Sequence, residues 1–264
     1  MVAVYSFLER GPYGDVIWQP TLANYTRALD PLYLRIYSKS LVLATSTTAV
    51  CAVLGLPLAY TIATAPKRWQ PGLLGLLMVP FLTNFVVRVY AIRLILAAEG
   101  PINLGLLSLG LITEPIMMTD STMAVALGMV TNYLPFMVLP IYVVFEKFDF
   151  AMIEAAKDLG AKGWPVFSRV ILPLAKPGLL SGLSLVFVPV LGEYMIPDLL
   201  GGAKTLMLGG LITEQFLRVR DWPFGSALAM ILVTAMMFVM WLQHRYRGIE
   251  ARRGDGGRIG YSRT

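Results

Sequence analysis

Charge is scarce in this chain. Only 14% of its 264 residues are Asp, Glu, Lys or Arg, while 56% are hydrophobic. A soluble domain carries about 25% charged residues, enough to coat a water-facing surface. The shortage argues against a soluble enzyme, a nucleic-acid-binding domain and a disordered chain. Cysteine and histidine occur once each, as Cys51 and His244. One thiol closes no internal disulfide, and the pair makes no zinc site, so no metal centre is expected. Cys51 lies in an apolar stretch and reads as an inert packed thiol. With one His at the edge of a basic tail, no Ser-His-Asp or Cys-His arrangement has candidates. A phosphate-binding loop is missing too. The nearest spelling is Gly201-Gly202-Ala203-Lys204-Thr205. The motif needs Gly before the Lys and another five residues earlier, where this chain has Ala203 and Asp198.

What the chain does have is long stretches without charge. They cover 40–66, 69–87, 121–145, 177–192 and 222–244. A bilayer core of about 30 Å takes roughly 20 apolar residues of helix. Five spanning helices are therefore expected, at about 40–65, 70–97, 121–145, 174–199 and 223–243. Pro57, Pro80, Pro135, Pro140 and Pro189 fall inside them. Membrane helices tolerate proline where neighbours satisfy the freed carbonyls, and some of these should kink.

The basic residues sort by side. One set of connections holds Lys67, Arg68, Lys147, Lys157, Lys162, Arg169, Lys176 and six arginines of the tail, 13 in all; the other side holds 7. Positive charge stays inside, which puts the C-terminus in the cytoplasm. Five spans then leave the N-terminus outside. Met1–Leu8 is apolar but too short to cross. It reads as the outer end of a helix that begins upstream of this start. The expected organisation is an external segment at 1–37, a membrane domain at 38–243 and a basic cytoplasmic tail at 244–264. Asn24-Tyr25-Thr26 matches a glycosylation sequon by spelling alone.

The connection between the third and fourth spans, Glu146–Pro173, is the most informative stretch. Phe150–Leu159 should form a short helix, capped by Asp149 and ended by Gly160 in a left-handed conformation. Met152, Ala155, Ala156 and Leu159 would share one face, with Glu154, Lys157 and Asp158 largely turned away. Periodicity alone favours a solvated connector. The spelling says more. Glu154-Ala155-Ala156, three residues, Gly160, nine residues, then Val170-x-Leu172-Pro173 resembles the EAA loop of ABC importer permeases. Val170 stands where that pattern has Ile.

The resemblance runs along nearly the whole chain and is closest to permease subunits of spermidine/putrescine importers. LANYTRALDP at 22–31, VPFLTNFVVRVY at 79–90, LPFMVLP at 134–140, PDLLGGAK at 197–204 and RDWPFG at 220–225 carry it. It implies an all-α polytopic permease fold, of six spans in that family, with the loop helix as coupling helix. Glu154, Ala155, Ala156, Gly160, Leu172 and Pro173 would then couple to a cytoplasmic ATP-binding dimer that holds the ATP and Mg. A second permease subunit, an external or periplasmic solute-binding protein and membrane lipid are the other implied partners. The implied place is a bacterial inner membrane. An intramembrane enzyme would need a carboxylate or His constellation facing a cavity, and only scattered candidates exist. A channel has no motor to couple.

For a cationic solute the candidate path residues are Glu193, Tyr194 and Asp198 in the fourth span and Arg88 and Tyr90 in the second. Asp221 and Trp222 lie just before the fifth. Buried charges in spans are costly and mark function. Glu193 and Asp198 are five residues apart and share a cavity only if Pro197 disturbs the helix. Arg88 and Arg93 line the path, snorkel to headgroups, or pair with Glu193.

Overall fold

In a computed structural model, residues 1–264 are described apart from 13, 150, 159, 161–162, 203–204 and 256–264; side chains at 155–157, 244 and 246–255 are also outside the description. The chain opens on a helical turn, α1 (Val2–Tyr5), and a small antiparallel hairpin, β1 (Leu8–Arg10) with β2 (Val16–Pro20), in which Glu9 faces Ile17 and Arg10 faces Val16. Helix α2 (Ala23–Ala28) leads into α3 (Pro31–Thr64). Among the described residues every later element is a helix: α4 (Gln70–Leu82), α5 (Phe85–Leu96), α6 (Pro101–Ser108), α7 (Thr122–Glu146), α8 (Ala151–Asp158) and α9 (Trp164–Leu191). Then come α10 (Met195–Leu200), α11 (Leu208–Glu214) and α12 (Trp222–Asp255). The all-α reading holds, with the hairpin as its one departure among the described residues.

Among the described residues four helices are long and apolar enough to cross a membrane: α3, α7, α9 and the Trp222–Gln243 part of α12. The fifth expected span is not one rod. Its two parts, Gln70–Leu82 and Phe85–Ser108, meet at 92°. The cause is local. Thr83 is extended, and the Asn84 side chain accepts the Val86 N–H at 2.9 Å, so Asn84 caps a new helix. A charge-free window does not register a cap, which turns the chain without adding charge.

The first span starts earlier than position 40. Asp30 accepts the Leu32 N–H at 2.9 Å and Pro31 takes the first helical position, where a missing N–H costs nothing. Arg35 and Lys39 ended the charge-free window but not the helix. The fourth span also differs. It is broken at Gly192–Tyr194, before Pro197 rather than at it. Pro197 falls in the first turn of α10, where no N–H is required.

Helices α3, α7 and α9 pack together at the centre. On α3 the buried residues Leu43, Ala44, Thr47, Cys51, Gly55 and Ala59 recur every three or four positions. Val42, Val50, Val53, Leu54 and Leu58 point outward and exposed, an apolar surface suited to lipid rather than water. Cys51 is fully buried, as expected of a packed thiol. On α9 the buried row is Ala175, Gly178, Gly182, Val186 and Val190. Small residues there let two backbones meet. A Cβ on Gly178 would lie 2.7 Å from both the Ile141 Cα and the Pro140 carbonyl oxygen of α7.

The N-terminal hairpin is fastened to the start of α12. Asp221 is buried and its Oδ2 accepts from the Arg27 guanidinium at 2.8 Å, with Arg10 at 3.6 Å. Its other oxygen accepts the Phe224 N–H at 3.1 Å and so caps α12. Burial works against the Arg27 charge, but Asp221 and Tyr33 outweigh it and hold the guanidinium above its ordinary pKa. Asn24 is buried too, its amide donating to the Leu8 and Ser6 carbonyls at 2.8 and 3.2 Å. The sequon nitrogen is thus a structural donor, not an exposed acceptor for sugar.

An Asp221→Asn chain should insert normally and lose grip on its N-terminal segment. Removing one partner of a buried charge pair is costly, but both guanidinium groups are half-exposed and water screens them. A loss of about 1–2 kcal/mol is expected on those grounds. Limited proteolysis in detergent should then cut within residues 1–29 well before the native chain is cut. Equal rates would show that the ion pairs do not hold the hairpin.

Candidate functional site

Two regions gather the residues that the sequence singles out, at opposite ends of α7. At one end lies the loop helix α8. Asp149 caps it as expected, its Oδ1 accepting the Ala151 N–H at 3.0 Å. Gly160 follows it at φ +85°. Among the described side chains of α8, Ile153 is buried, while Met152 and Glu154 are exposed. The side chains of Ala155 and Ala156, and Leu159 altogether, lie outside the described residues. Leu172 is half-buried and Pro173 exposed, just past a π-helical turn at Phe167–Ile171. Pro173 has no N–H to return to residue 169, which suits a widened turn at this place.

Ile153 and Glu154 close one wall of a cavity of about 980 Å³, whose other walls include Tyr60, Lys67, Gln70 and Glu146. Gln70 fixes this corner by donating to the Ala63 and Ala65 carbonyls at 2.9 and 3.0 Å and accepting from the Tyr142 hydroxyl at 3.3 Å. The loop helix therefore shares this cavity with the ends of α3, α4 and α7. Met152 of α8 and Trp164 at the start of α9 are exposed.

At the other end, the break between α9 and α10 is built around Glu193. One carboxylate oxygen accepts the Tyr194 and Met195 N–H groups at 3.0 and 2.9 Å, and the other accepts the Tyr133 hydroxyl of α7. A helix N-terminus welcomes an anion, and here the chain supplies its own. Glu193 is thus committed to holding the break. It does not pair with Arg88 or Arg93. Arg93 donates to the Leu199 carbonyl and reaches Asp120 at 3.5 Å, tying α5 to α10. Arg88 lies over the Phe81 ring at 4.7 Å, with Nε and one Nη buried and without a hydrogen bond. Asp221 is already neutralised by Arg27 and Arg10, so it is not an open outer charge. Tyr90 is half-exposed, and Trp222 is half-exposed with its ring edge-on to Phe216 at 5.9 Å.

Tyr194 and Asp198 do come together. They line a cavity of about 660 Å³ between α10 and α11, with Thr205, Glu214 and Arg218. Both residues follow the break at Gly192–Tyr194 that separates α10 from α9. Helix α11 was not expected from the sequence, nor were Glu214 and Thr205 as cavity residues. Helix α11 is short and lies between two stretches of mixed character, so no window of spanning length reveals it. It is fixed by Ser40 of α3, whose hydroxyl accepts the Leu208 N–H at 2.8 Å while donating to the Ile36 carbonyl at 2.9 Å. Among the described residues no three His, Cys, Asp or Glu side chains gather as a metal site.

Comparison with known proteins gives this architecture a context. Residues 53–247 match the family model described as binding-protein-dependent transport system inner membrane component. The spermidine/putrescine transport system permease protein PotB of Escherichia coli K12 is 44% identical over 248 residues, 93% of this chain and 90% of that protein. The protein of the same name from Haemophilus influenzae is 38% identical over 253 residues, 96% of this chain and 88% of its own. Among solved structures, a chain of a bacterial alginate ABC transporter, in complex with a periplasmic protein bound to an alginate pentasaccharide, superposes with a TM-score of 0.73. The match covers 87% of this chain and 83% of that one at 14% identity, a likeness of fold.

Proposed function

The chain belongs to the family of binding-protein-dependent transport system inner membrane components, the permease subunits of ABC importers, and from that membership we propose that it carries spermidine and putrescine across the inner membrane. The observation that carries the reading is the identity to the PotB proteins over nine-tenths of both chains. Identity of that extent spans the membrane helices as well as the loop.

In this reading a separate ATPase dimer binds ATP and Mg on the cytoplasmic side, where α8 and the basic C-terminal tail lie. The EAA-type stretch from Glu154 to Gly160 docks on that dimer, with Leu172 and Pro173 setting its return into the membrane. Closure of the dimer pushes α8, and α8 moves the ends of α3, α4 and α7 around the cavity they share. The pathway formed with a second permease subunit then opens toward an external solute-binding protein. The solute enters, and hydrolysis resets the inward-facing state. This is alternating access, and the permease itself contributes no bond-breaking chemistry. Tyr194 and Asp198 belong to the outer part of the path; Arg88 and Tyr90 flank it beside the bend between α4 and α5.

The test is uptake of labelled spermidine and putrescine by cells that lack their own polyamine importers and express this chain with its ATPase, second permease and binding protein. ATP-dependent accumulation of either amine is expected. If the four-part complex assembles and hydrolyses ATP but takes up neither, the solute is another one.

A further inference from the structure

Helix α10 follows α9 in sequence but is fastened to α7. The break at Gly192–Tyr194 separates it from α9. Two independent features then hold it on α7. The first is apolar. Ile196 and Leu200 are fully buried and pack over Gly128 of α7, where a Cβ would lie 2.5 Å from the Leu200 Cδ1 and 3.1 Å from the Ile196 Cγ2. The second is polar. Glu193 Oε1 accepts the Tyr194 and Met195 N–H groups, which fixes the carboxylate to the start of α10. Its Oε2 accepts the Tyr133 hydroxyl of α7. Apolar contact attracts without direction. A hydrogen bond to a fixed carboxylate is directional, and charge makes it one of the stronger kind.

The residue type supports the link. An ionised carboxylate within a span is costly to keep. A Ser or Asn would cap a helix N-terminus as well. What they lack is the reach to serve the start of α10 with one atom and α7 with another. Helix α7 also leads to the coupling end, where its Tyr142 and Glu146 line the cavity beside α8. On the other side of the link, Tyr194 caps α10 and Asp198 lies in its first turn. Both belong to the outer path in the transport reading above.

We propose, on that reading, that Tyr133 is a positioning residue of the solute path: acting through Glu193, it makes α10 and the path wall it carries move with α7 and not with α9.

The experiment uses the transporter assembled with its ATPase and second permease, in lipid nanodiscs for labelling and in proteoliposomes for uptake. Asp198→Cys, at an exposed position, reports on α10 through its rate of reaction with a water-soluble maleimide, read on this chain after electrophoresis. Cys51, the one native thiol, is buried and leaves a low background. Rates are compared without nucleotide and with ATP plus vanadate, which traps the closed ATPase dimer. With Tyr133 present the two rates should differ. With Tyr133→Phe, which keeps the ring beside Phe136, the difference should be lost. Tyr25→Phe removes a hydroxyl bonded to Ser6 in the N-terminal segment and should leave the difference in place.

Uptake is measured with Asp198 restored. Spermidine moved per ATP hydrolysed should fall about tenfold in Tyr133→Phe, the scale of one charge-assisted hydrogen bond, while hydrolysis per assembled complex persists. Glu193→Gln keeps an acceptor oxygen for Tyr133 and should retain most of that yield. Glu193→Ala should lose it, and adding Tyr133→Phe to Glu193→Ala should cost nothing more, since both remove one link. A labelling difference that survives Tyr133→Phe overturns the proposal, and so does a native chain whose labelling ignores nucleotide. A fall in uptake and hydrolysis together, with the yield per ATP unchanged, marks a merely structural role and overturns it too. Labelling needs no solute. If the native complex moves neither spermidine nor putrescine, the substrate reading fails and labelling still decides the role of Tyr133.

Discussion

A Gly178→Val chain is expected to fail at assembly of the helix bundle and to reach the membrane at a small fraction of the native level. The reason is space. Gly178 of α9 faces the backbone of α7, and even a methyl there would lie 2.7 Å from the Ile141 Cα and the Pro140 oxygen. A flexible side chain could swing away from such a contact, but a helix backbone cannot. One turn on, a Cβ at Gly182 would meet the Met137 sulfur at 2.6 Å and its Cα at 3.2 Å. The two helices would have to separate along that seam. Overpacking a tight core costs about 1–3 kcal/mol where side chains can adjust, and more where only backbone can move. In a membrane, close packing is the main force that holds helices together. The check is the amount of chain in washed membranes and its thermal unfolding in mild detergent. A native yield and melting temperature would mean that α7 and α9 are not held at this distance.

Gly160→Val should behave in the opposite way, with normal insertion and little or no uptake. Nothing lies within 4 Å of a Cβ at Gly160, so there is room for any side chain. What the position demands is its torsion. At φ +85° an L-residue is strained, by about 1–2 kcal/mol for left-handed backbone and more for a β-branched one. The turn after α8 would relax to an ordinary torsion, and the chain leaving the helix would be redirected. The docking helix would then present a different edge to its partner. Asn tolerates left-handed backbone better than other non-glycine residues. Gly160→Asn should therefore keep much of the uptake that Gly160→Val loses. Charge reversal at the exposed Glu154 should also abolish uptake without affecting insertion. If Gly160→Val transports normally, α8 does not couple ATP hydrolysis to the membrane helices. If valine and asparagine fail alike, torsion is not the reason.

Both glycines are equally silent in composition, yet one is governed by a neighbour 37 residues away in sequence and the other by its own backbone. That difference separates what could be read in advance from what could not. Local chemistry was legible. Asp149 as a cap, Gly160 as a left-handed stop and Cys51 as a buried thiol each depend on near neighbours or on a simple apolar surrounding. The class of the protein was legible as well, since charge depletion over spanning lengths has few physical solutions. The EAA spelling and the stretches around it place the chain among permeases by sequence alone.

Helix direction and charge partnership were decided in three dimensions. A hydropathy window sums composition and carries no angle, so it merged two segments that Asn84 sets at 92° and ran the fourth span through the break at Gly192. Glu193, Asp198 and Asp221 look alike in sequence: three carboxylates at the outer edge of apolar stretches. Their fates differ because their neighbours come from elsewhere in the chain. Tyr133 and the N-terminus of α10 occupy Glu193, and Arg27 and Arg10 neutralise Asp221. Asp198 alone of the three faces a cavity, opposite Glu214, a residue that no sequence pattern had marked. A carboxylate's role is set by the donors and cations within a few ångströms of it, and in this fold the side chains among them lie 60 to more than 200 residues away.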